Sequence, residues 1–122
     1  MILNKEARLK ARQQTEAITK AHNLRYLHVR KQVAVDYGLG LAYTTLNKGG
    51  VTIAYARRRP NDNVILVSTA LVHDNDSYCK AHGRAVAARR FADAHCIALH
   101  VPKNMSVSYF LKTMFGTMVQ HG

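Results

Sequence analysis

Three consecutive arginines, Arg57, Arg58 and Arg59, stand between two apolar runs, and Asp62 is the acidic residue beside them. A guanidinium group presents a planar fork of N–H donors that matches the oxygens of a phosphate group. Clustered cations also release the counterions that condense on a nucleic acid. The arginines therefore predict contact with a polyanion, and the phosphate backbone of DNA or RNA is the leading candidate.

The same positive charge extends along the whole chain. The 122 residues include 18 Lys and Arg against 7 Asp and Glu, which gives a formal net charge of +11. Solubility requires only a few net charges, so a solvated surface is the weaker explanation, and an acidic protein surface is the other kind of partner. The residues predicted to contact phosphate are Arg8, Arg12, Arg57, Arg58, Arg59, Lys80, Arg84 and Arg90.

Metal chemistry has weaker support. Six potential metal ligands lie between residues 73 and 100: His73, Cys79, His82, His95, Cys96 and His100. Structural zinc sites usually show paired ligands, and the chain has no Cys-x-x-Cys pair. Asp74 and Asp76, near Lys80, could hold a divalent ion for phosphodiester hydrolysis. Their place before a predicted helix favours N-capping instead. We therefore expect no metal, no cofactor and no enzymatic activity.

Tyrosines supply a second possible contact with nucleic acid. Tyr26, Tyr37, Tyr43 and Tyr55 lie on predicted strands among basic residues. Aromatic rings on a sheet, flanked by cations, can stack the bases of a single strand. For any one of them, a half-buried ring with a solvated hydroxyl is the more common arrangement.

A basic helix is predicted over residues 4–22. Asn4 is a suitable N-cap, and Glu6 lies in the first turn, where a negative charge is favourable. The apolar stripe is thin, since Leu9 and Ile18 are its large members. Three placements fit such a helix: on the surface, projecting from the body, or ordered against a partner.

Strands are predicted over residues 24–35, 41–47, 51–58, 64–72 and 96–101. The first is interrupted near Lys31, and turns are predicted at Gly38 and Gly40, at the sequence NKGG before Val51, and at residues 60–63. The last of these turns makes a hairpin with the arginines at its tip.

Two further helices follow. Asp74 or Asp76 is the predicted cap of the first, whose apolar side consists of Tyr78, Ala81, Ala85, Ala88 and Ala92. Gly83 within it predicts close approach of another backbone or a ligand. The C-terminal helix follows Pro102 and begins at Asn104 or Ser106; its predicted apolar face is Met105, Tyr109, Phe110, Met114 and Met118.

These elements predict one α+β domain over residues 1–122. We expect a mixed, mostly antiparallel sheet of four or five strands, with the helices packed on one face. The strand–helix–strand segment over residues 64–101 fits a right-handed crossover.

The stretches GGVTIAY and VSTALVHDNDSYCKAHGRAVAARR resemble a family of small uncharacterised proteins of tailed bacteriophages. The family's Lys-x-x-Gly-Arg-x-x-Ala-x-x-Arg helix falls here on Lys80, Gly83, Arg84, Ala87 and Arg90. The resemblance covers under half of the chain, leaves out the basic N-terminal helix, and implies a phage source and the host cytoplasm. It implies no activity.

The sequence thus predicts a small basic phage-encoded protein that binds nucleic acid electrostatically with weak sequence preference. The alternative is an inhibitor that docks on an acidic surface or nucleic-acid channel of a host enzyme or defence complex. A metal-dependent nuclease is third. No stretch approaches the about 20 apolar residues of a membrane span, and the first residues, MILNKE, predict no secretory signal, so we expect a cytosolic location without a membrane partner.

Overall fold

The computed structural model describes residues 5–36, 38, 40–77 and 79–121. Three helices and four strands make up this part of the chain. In order, they are α1 (Lys5–His22), β1 (Arg25–Asp36), β2 (Leu41–Arg57), β3 (Val64–Ser77), α2 (Lys80–Ala92), β4 (Ile97–His100) and α3 (Val107–His121).

The strands form one sheet in the order β1-β2-β3-β4, and each neighbouring pair is antiparallel. The predicted α+β class and mostly antiparallel sheet are confirmed. The parallel crossover is wrong, because β4 runs antiparallel to β3, with His100 opposite Val64. Helix α2 has 13 residues and rises about 20 Å, whereas the 14 residues of β3 extend about 45 Å. The helix is therefore too short to return the chain to the start of β3.

Helices cover both faces of the sheet, so the prediction of one covered face is wrong. Val51 and Ile53 of β2 pack with Leu111 and Phe115 of α3, whereas Ala54 packs with α2 on the opposite face. Side chains alternate between faces along a strand. The run 51–54 is buried at every position, and a strand that is apolar on both sides needs a helix on each.

The sequence NKGG lies within β2 and makes a bulge, so the predicted turn there is wrong. The pairing with β3 shifts between Lys48 and Gly50, and Gly49 and Gly50 have φ angles of 76° and 140°. Those angles suit glycine, which lets the strand bend without ending. The pairing with β1 shifts at the same level, and this shift is the interruption predicted near Lys31.

Helix α1 lies against α2, which is the surface placement among the three predicted ones. Ile18 packs on the cluster that contains Phe91, and the His22 ring meets the Phe91 ring edge-on with centroids 5.5 Å apart. The hydroxyls of Thr19 and Tyr26 are 2.6 Å apart. The predicted N-cap, Asn4, lies outside the described residues.

Helix α2 begins later and faces the sheet differently than predicted. Cys79 stands at its N-cap position, without a side-chain cap, and positions 74 and 76 belong to β3, so Asp74 and Asp76 do not cap the helix. The strand continues past residue 72 because it pairs again with β2, with Ser77 opposite Lys48. The buried positions of α2 are Gly83, Ala87, Ala88 and Phe91. Of the predicted stripe, Ala81 and Ala92 are exposed, and Tyr78 lies outside the described residues.

Helix α3 begins as predicted after Ser106, whose Oγ accepts a hydrogen bond from the Tyr109 N–H at 3.2 Å. Its packing face is rotated from the predicted one, although Phe110 of the predicted face does pack, partly buried, against the core. Leu111 and Phe115 are buried, whereas Tyr109 and Met114 are exposed. Leu111 and Phe115 pack on an apolar patch of the sheet that includes Val51, Ile53 and Ile65. The Met118 side chain lies outside the described residues.

Candidate nucleic-acid interface

The arginine hairpin tip, residues 57–63, is held together by Asp62. The Arg58 side chain donates from Nε and Nη2 to one carboxylate oxygen, each at 2.9 Å, and the Val64 N–H donates to the other at 3.1 Å. Arg57 donates from Nη1 to the Asp62 carbonyl at 2.9 Å. Within the described part of the chain, the Arg59 side chain has no hydrogen-bond acceptor, so Arg59 is the arginine that the turn does not use.

The pKa of Asp62 lies below its ordinary value of 3.8. The largest cause is the hydrogen bond from the Val64 backbone N–H, and the hydrogen bond and charge of Arg58 act in the same direction. Asp62 is therefore ionised at neutral pH and cancels one of the three arginine charges. The tip keeps a net charge of +2 and lies beside Lys103, which lines the same cleft as Arg57.

A second group of cations comes from two different elements. Lys80 and Arg84 are four residues apart on α2, and therefore on one face of the helix. Gly83, which lies between them on α2, packs on Thr52 of β2. Thr52 Oγ1 is 3.0 Å from His28 Nδ1, and Arg30 shares the face of His28 on β1. The charges of all three cations also act to lower the pKa of His28. Lys80, Arg84 and Arg30 together form the α2 cation cluster. Lys80 and Arg84 have no ion-pair partner among the described residues.

His28 lies on β1 opposite Thr52, on the face of the sheet where Gly83 of α2 packs. Its Nδ1 lies 3.0 Å from Thr52 Oγ1 on the neighbouring strand. The pKa of His28 lies below its ordinary value of 6.5, first because burial disfavours the charged ring. The positive charges of Arg84, Lys80 and Arg30 lower it further. The ring is thus neutral at pH 7, and a proton taken up there would add a charge to the cluster.

Gly83 sets the distance between α2 and the sheet. A Cβ placed on Gly83 would stand 2.8 Å from Thr52 Cβ, and closer still to Thr52 Oγ1. The close approach predicted at Gly83 therefore exists, but the approaching group is the Thr52 side chain and not a backbone or a ligand. This approach brings the first turn of α2 down to the level of His28.

The other predicted phosphate contacts lie apart from this cluster. Arg90, at the far end of α2, donates from Nη1 to the Thr69 carbonyl at 2.7 Å. Arg8 and Arg12 are exposed on α1. Of the predicted phosphate contacts, Lys80 and Arg84 thus lie together, and Arg57 to Arg59 lie at the hairpin tip. Arg8, Arg12 and Arg90 belong to neither group.

Arg30 and His28 were absent from the predicted site, although the sequence carries a signal for them. They are two residues apart on β1, opposite Gly50 and Thr52, so their side chains share a face. The sequence alone does not show that α2 covers that face of the sheet, so it could not group them with Lys80 and Arg84.

The predicted stacking tyrosines differ in accessibility. Tyr43 is 62% exposed on β2, whereas Tyr26 and Tyr55 pack against the two cores. Tyr37 lies outside the described residues. Tyr109, which the sequence placed on an apolar face, is 61% exposed.

The histidines and cysteines do not gather into a metal site within the described residues, where no three His, Cys, Asp or Glu side chains stand together. Cys79 is exposed at the start of α2, and Cys96 is half-buried before β4. The side chains of Asp74 and Asp76 lie outside this description.

Comparison with protein-family models, curated proteins and solved structures finds no match to this chain. Among the helices of the described residues, none is long and apolar enough to cross a bilayer.

Proposed function

We propose that this protein binds the phosphate backbone of DNA or RNA with weak sequence preference and without catalysing a reaction. In keeping with the resemblance to small phage proteins, we further propose that it acts in the cytoplasm of an infected host. The phosphate contacts are assigned to the α2 cation cluster and to the arginine hairpin tip.

The convergence of Lys80, Arg84 and Arg30 from two elements is the observation that carries the proposal. Lys80 and Arg84 share one face of α2 and repel each other, and neither has an acidic partner among the described residues to offset that repulsion. The first turn of α2 adds the positive end of the helix dipole and unpaired backbone N–H groups. Phosphate oxygens complement all of these donors at once.

The double variant Lys80→Ser/Arg84→Ser should weaken binding and flatten the plot of log K against log salt. Each phosphate contact contributes a slope of about 0.9 on B-DNA, so the loss should approach about 2 units if both residues bind phosphate. Fluorescence anisotropy with a labelled 20-base-pair duplex and a single strand, over a series of salt concentrations, measures the slope.

The control is Lys20→Ser/Lys112→Ser, which removes the same charge from exposed positions on α1 and α3. Its slope should change by less than about 0.5 units. Equal flattening in the two double variants would mean that net charge, and not the α2 cation cluster, governs binding. Absence of binding by the wild-type protein at low salt would refute the proposal and favour the acidic host-protein partner.

At the hairpin tip, Arg59→Ser should flatten the salt slope by about 1 unit, whereas Arg58→Ser should change it by less. The reason is that Asp62 already neutralises Arg58, while Arg59 has no acceptor in the described chain. Both side chains are exposed, so neither variant should alter the free energy of unfolding by more than about 0.5 kcal/mol. The same anisotropy titration distinguishes them, and a larger effect for Arg58 would contradict this assignment.

Binding should also strengthen as the pH falls from 7.5 to about 5.5, by about three- to tenfold at constant salt. The pKa of His28 is lowered in the free protein, and a bound phosphate would raise it by favouring the charged ring. His28→Gln should remove most of this pH dependence, whereas His100→Gln, at an exposed position on β4, should preserve it. Identical pH profiles for the two variants would exclude His28 from the interface.

A further inference from the structure

The second half of β3 presents an open strand edge. Strand β4 pairs with Val64–Val67, whereas β3 continues to Ser77. The Asn63 carbonyl accepts from the Val101 N–H on the β4 side, and the Val64 carbonyl accepts from the Arg58 N–H on the β2 side. The backbone N–H and C=O groups of successive residues point to opposite sides of a strand. Thr69 and Leu71 therefore direct their N–H and C=O groups to the same side as Asn63, away from β2 and towards the open edge.

Arg90 marks the beginning of this open edge. Its guanidinium donates to the Thr69 carbonyl at 2.7 Å, just beyond the last residue that β4 covers. Along the rest of the described chain, no strand pairs with Leu71 on this side. The Leu71 side chain is also 68% exposed. An apolar side chain beside unpaired backbone groups is the arrangement that recruits another strand.

A cleft lies beside the start of this open edge. It is lined by Thr69, Arg90, His95 and Ile97 and follows directly on from β4. Ile97 stands opposite Val67 as the first residue of β4. An incoming strand would therefore extend the line of β4 along Thr69 and Leu71.

The two faces of the sheet differ at this edge. Leu71 lies opposite Val51, on the face that α3 covers, and the exposed Ile97 shares that face through Val67. Arg90 approaches from α2 on the other face. An added strand would meet apolar side chains on one side and a guanidinium group on the other.

We propose that this edge binds an extended segment of an acidic partner protein by antiparallel β-strand addition. The segment alternates apolar residues, which pack beside Leu71 and Ile97, with acidic residues, which engage Arg90. The net charge of +11 favours an acidic partner. It disfavours a second copy, because two such chains repel each other and edge-to-edge pairing would bring their Arg90 side chains together.

A capped heptapeptide, Glu-Val-Glu-Val-Glu-Val-Glu, is a suitable probe. In an antiparallel pair, directly opposed residues share a face, so the valines would direct their backbone groups at Thr69 and Leu71. N-methylation of the three valines should weaken binding at least about tenfold, since it removes the inter-strand donors. N-methylation of three glutamates should leave it within about twofold, because those amides face away. Equal effects of the two patterns would refute strand addition.

Hydrogen exchange followed by NMR locates the site. The Thr69 and Leu71 amides should gain protection when the peptide is added, whereas the Ala70 and Val72 amides are already paired with β2. Protection of Thr69 and Leu71 without peptide, in a chain that sediments as a dimer, would show a second copy on the edge and overturn the choice of partner.

Charge recognition is tested on a matched pair of arginines. Arg90→Gln keeps a donor for the Thr69 carbonyl but removes the charge, and should weaken peptide binding by about tenfold. Arg89→Gln removes the same charge from the neighbouring exposed position. Among the described residues it is Arg90, and not Arg89, that bonds to the Thr69 carbonyl, so Arg89→Gln should change peptide binding by less than about twofold. The peptide Lys-Val-Lys-Val-Lys-Val-Lys should not bind, and equal affinity for both peptides would refute an acidic partner.

Discussion

Replacing Leu111 by alanine should lower the free energy of unfolding by about 2 to 5 kcal/mol. Leu111 is fully buried in the core between α3 and the sheet, where it packs with Val51, Ile53 and Ile65. Truncation would remove apolar burial and leave a cavity that the surrounding β-branched side chains cannot fill. Urea unfolding followed by circular dichroism measures the loss.

Met114→Ala is the control on the same helix. The side chain is 40% exposed, so its truncation should cost no more than about 1 kcal/mol. Similar costs for Met114 and Leu111 would mean that α3 packs on the face predicted from the sequence. A cost below about 0.5 kcal/mol at Leu111 would mean that α3 does not close this core.

The α+β class could be predicted because local signals are strong where one face of an element is buried. The hairpin around residues 58–63 follows from turn residues between two apolar runs. The turn predicted at NKGG was wrong because two adjacent glycines are typical of a β-bulge as well as of a turn. The pairing with neighbouring strands decides which of the two forms. The predicted start of α2 at Asp74 or Asp76 was wrong for the same reason, because the pairing of Ser77 with Lys48 extends β3 past both residues.

The candidate interface was predictable only in part. Lys80 and Arg84 follow from helical spacing alone. Adding Arg30 and His28 required the tertiary contact of α2 with the sheet, which depends on Gly83 and Thr52. The role of Asp62 was visible as a charge beside three arginines, but the choice of Arg58 as its partner is a matter of turn geometry.

Gly83→Ala should lower the free energy of unfolding by about 2 kcal/mol, although alanine is the better helix former by about 1 kcal/mol. The added methyl group would stand 2.8 Å from Thr52 Cβ. Thr52 is fully buried, and overpacking of such a site costs about 1 to 3 kcal/mol, occasionally more. The helix must therefore lift from the sheet.

Two matched variants test this explanation. Among the described residues, a Cβ added to Gly116 of α3 has no atom within 4 Å apart from the neighbouring backbone of its own helix. Gly116→Ala should therefore stabilise the protein by up to about 1 kcal/mol. Adding Thr52→Ala to Gly83→Ala removes the obstructing side chain, so the double variant should be more stable than the sum of the single changes predicts, by at least about 0.5 kcal/mol. Additive effects would show that the Gly83 cost does not arise at Thr52.

The same substitution also tests whether α2 must be close to the sheet for binding. If Gly83→Ala lifts the first turn of α2, Lys80 and Arg84 move away from Arg30, and His28 loses part of the positive field that lowers its pKa. At about 25 °C, under conditions where the variant is still folded, its salt slope should flatten by about 1 unit. Gly116→Ala should retain the wild-type slope. An unchanged slope in a destabilised Gly83→Ala protein would show that the two elements bind phosphate independently, and that their convergence is a matter of packing alone.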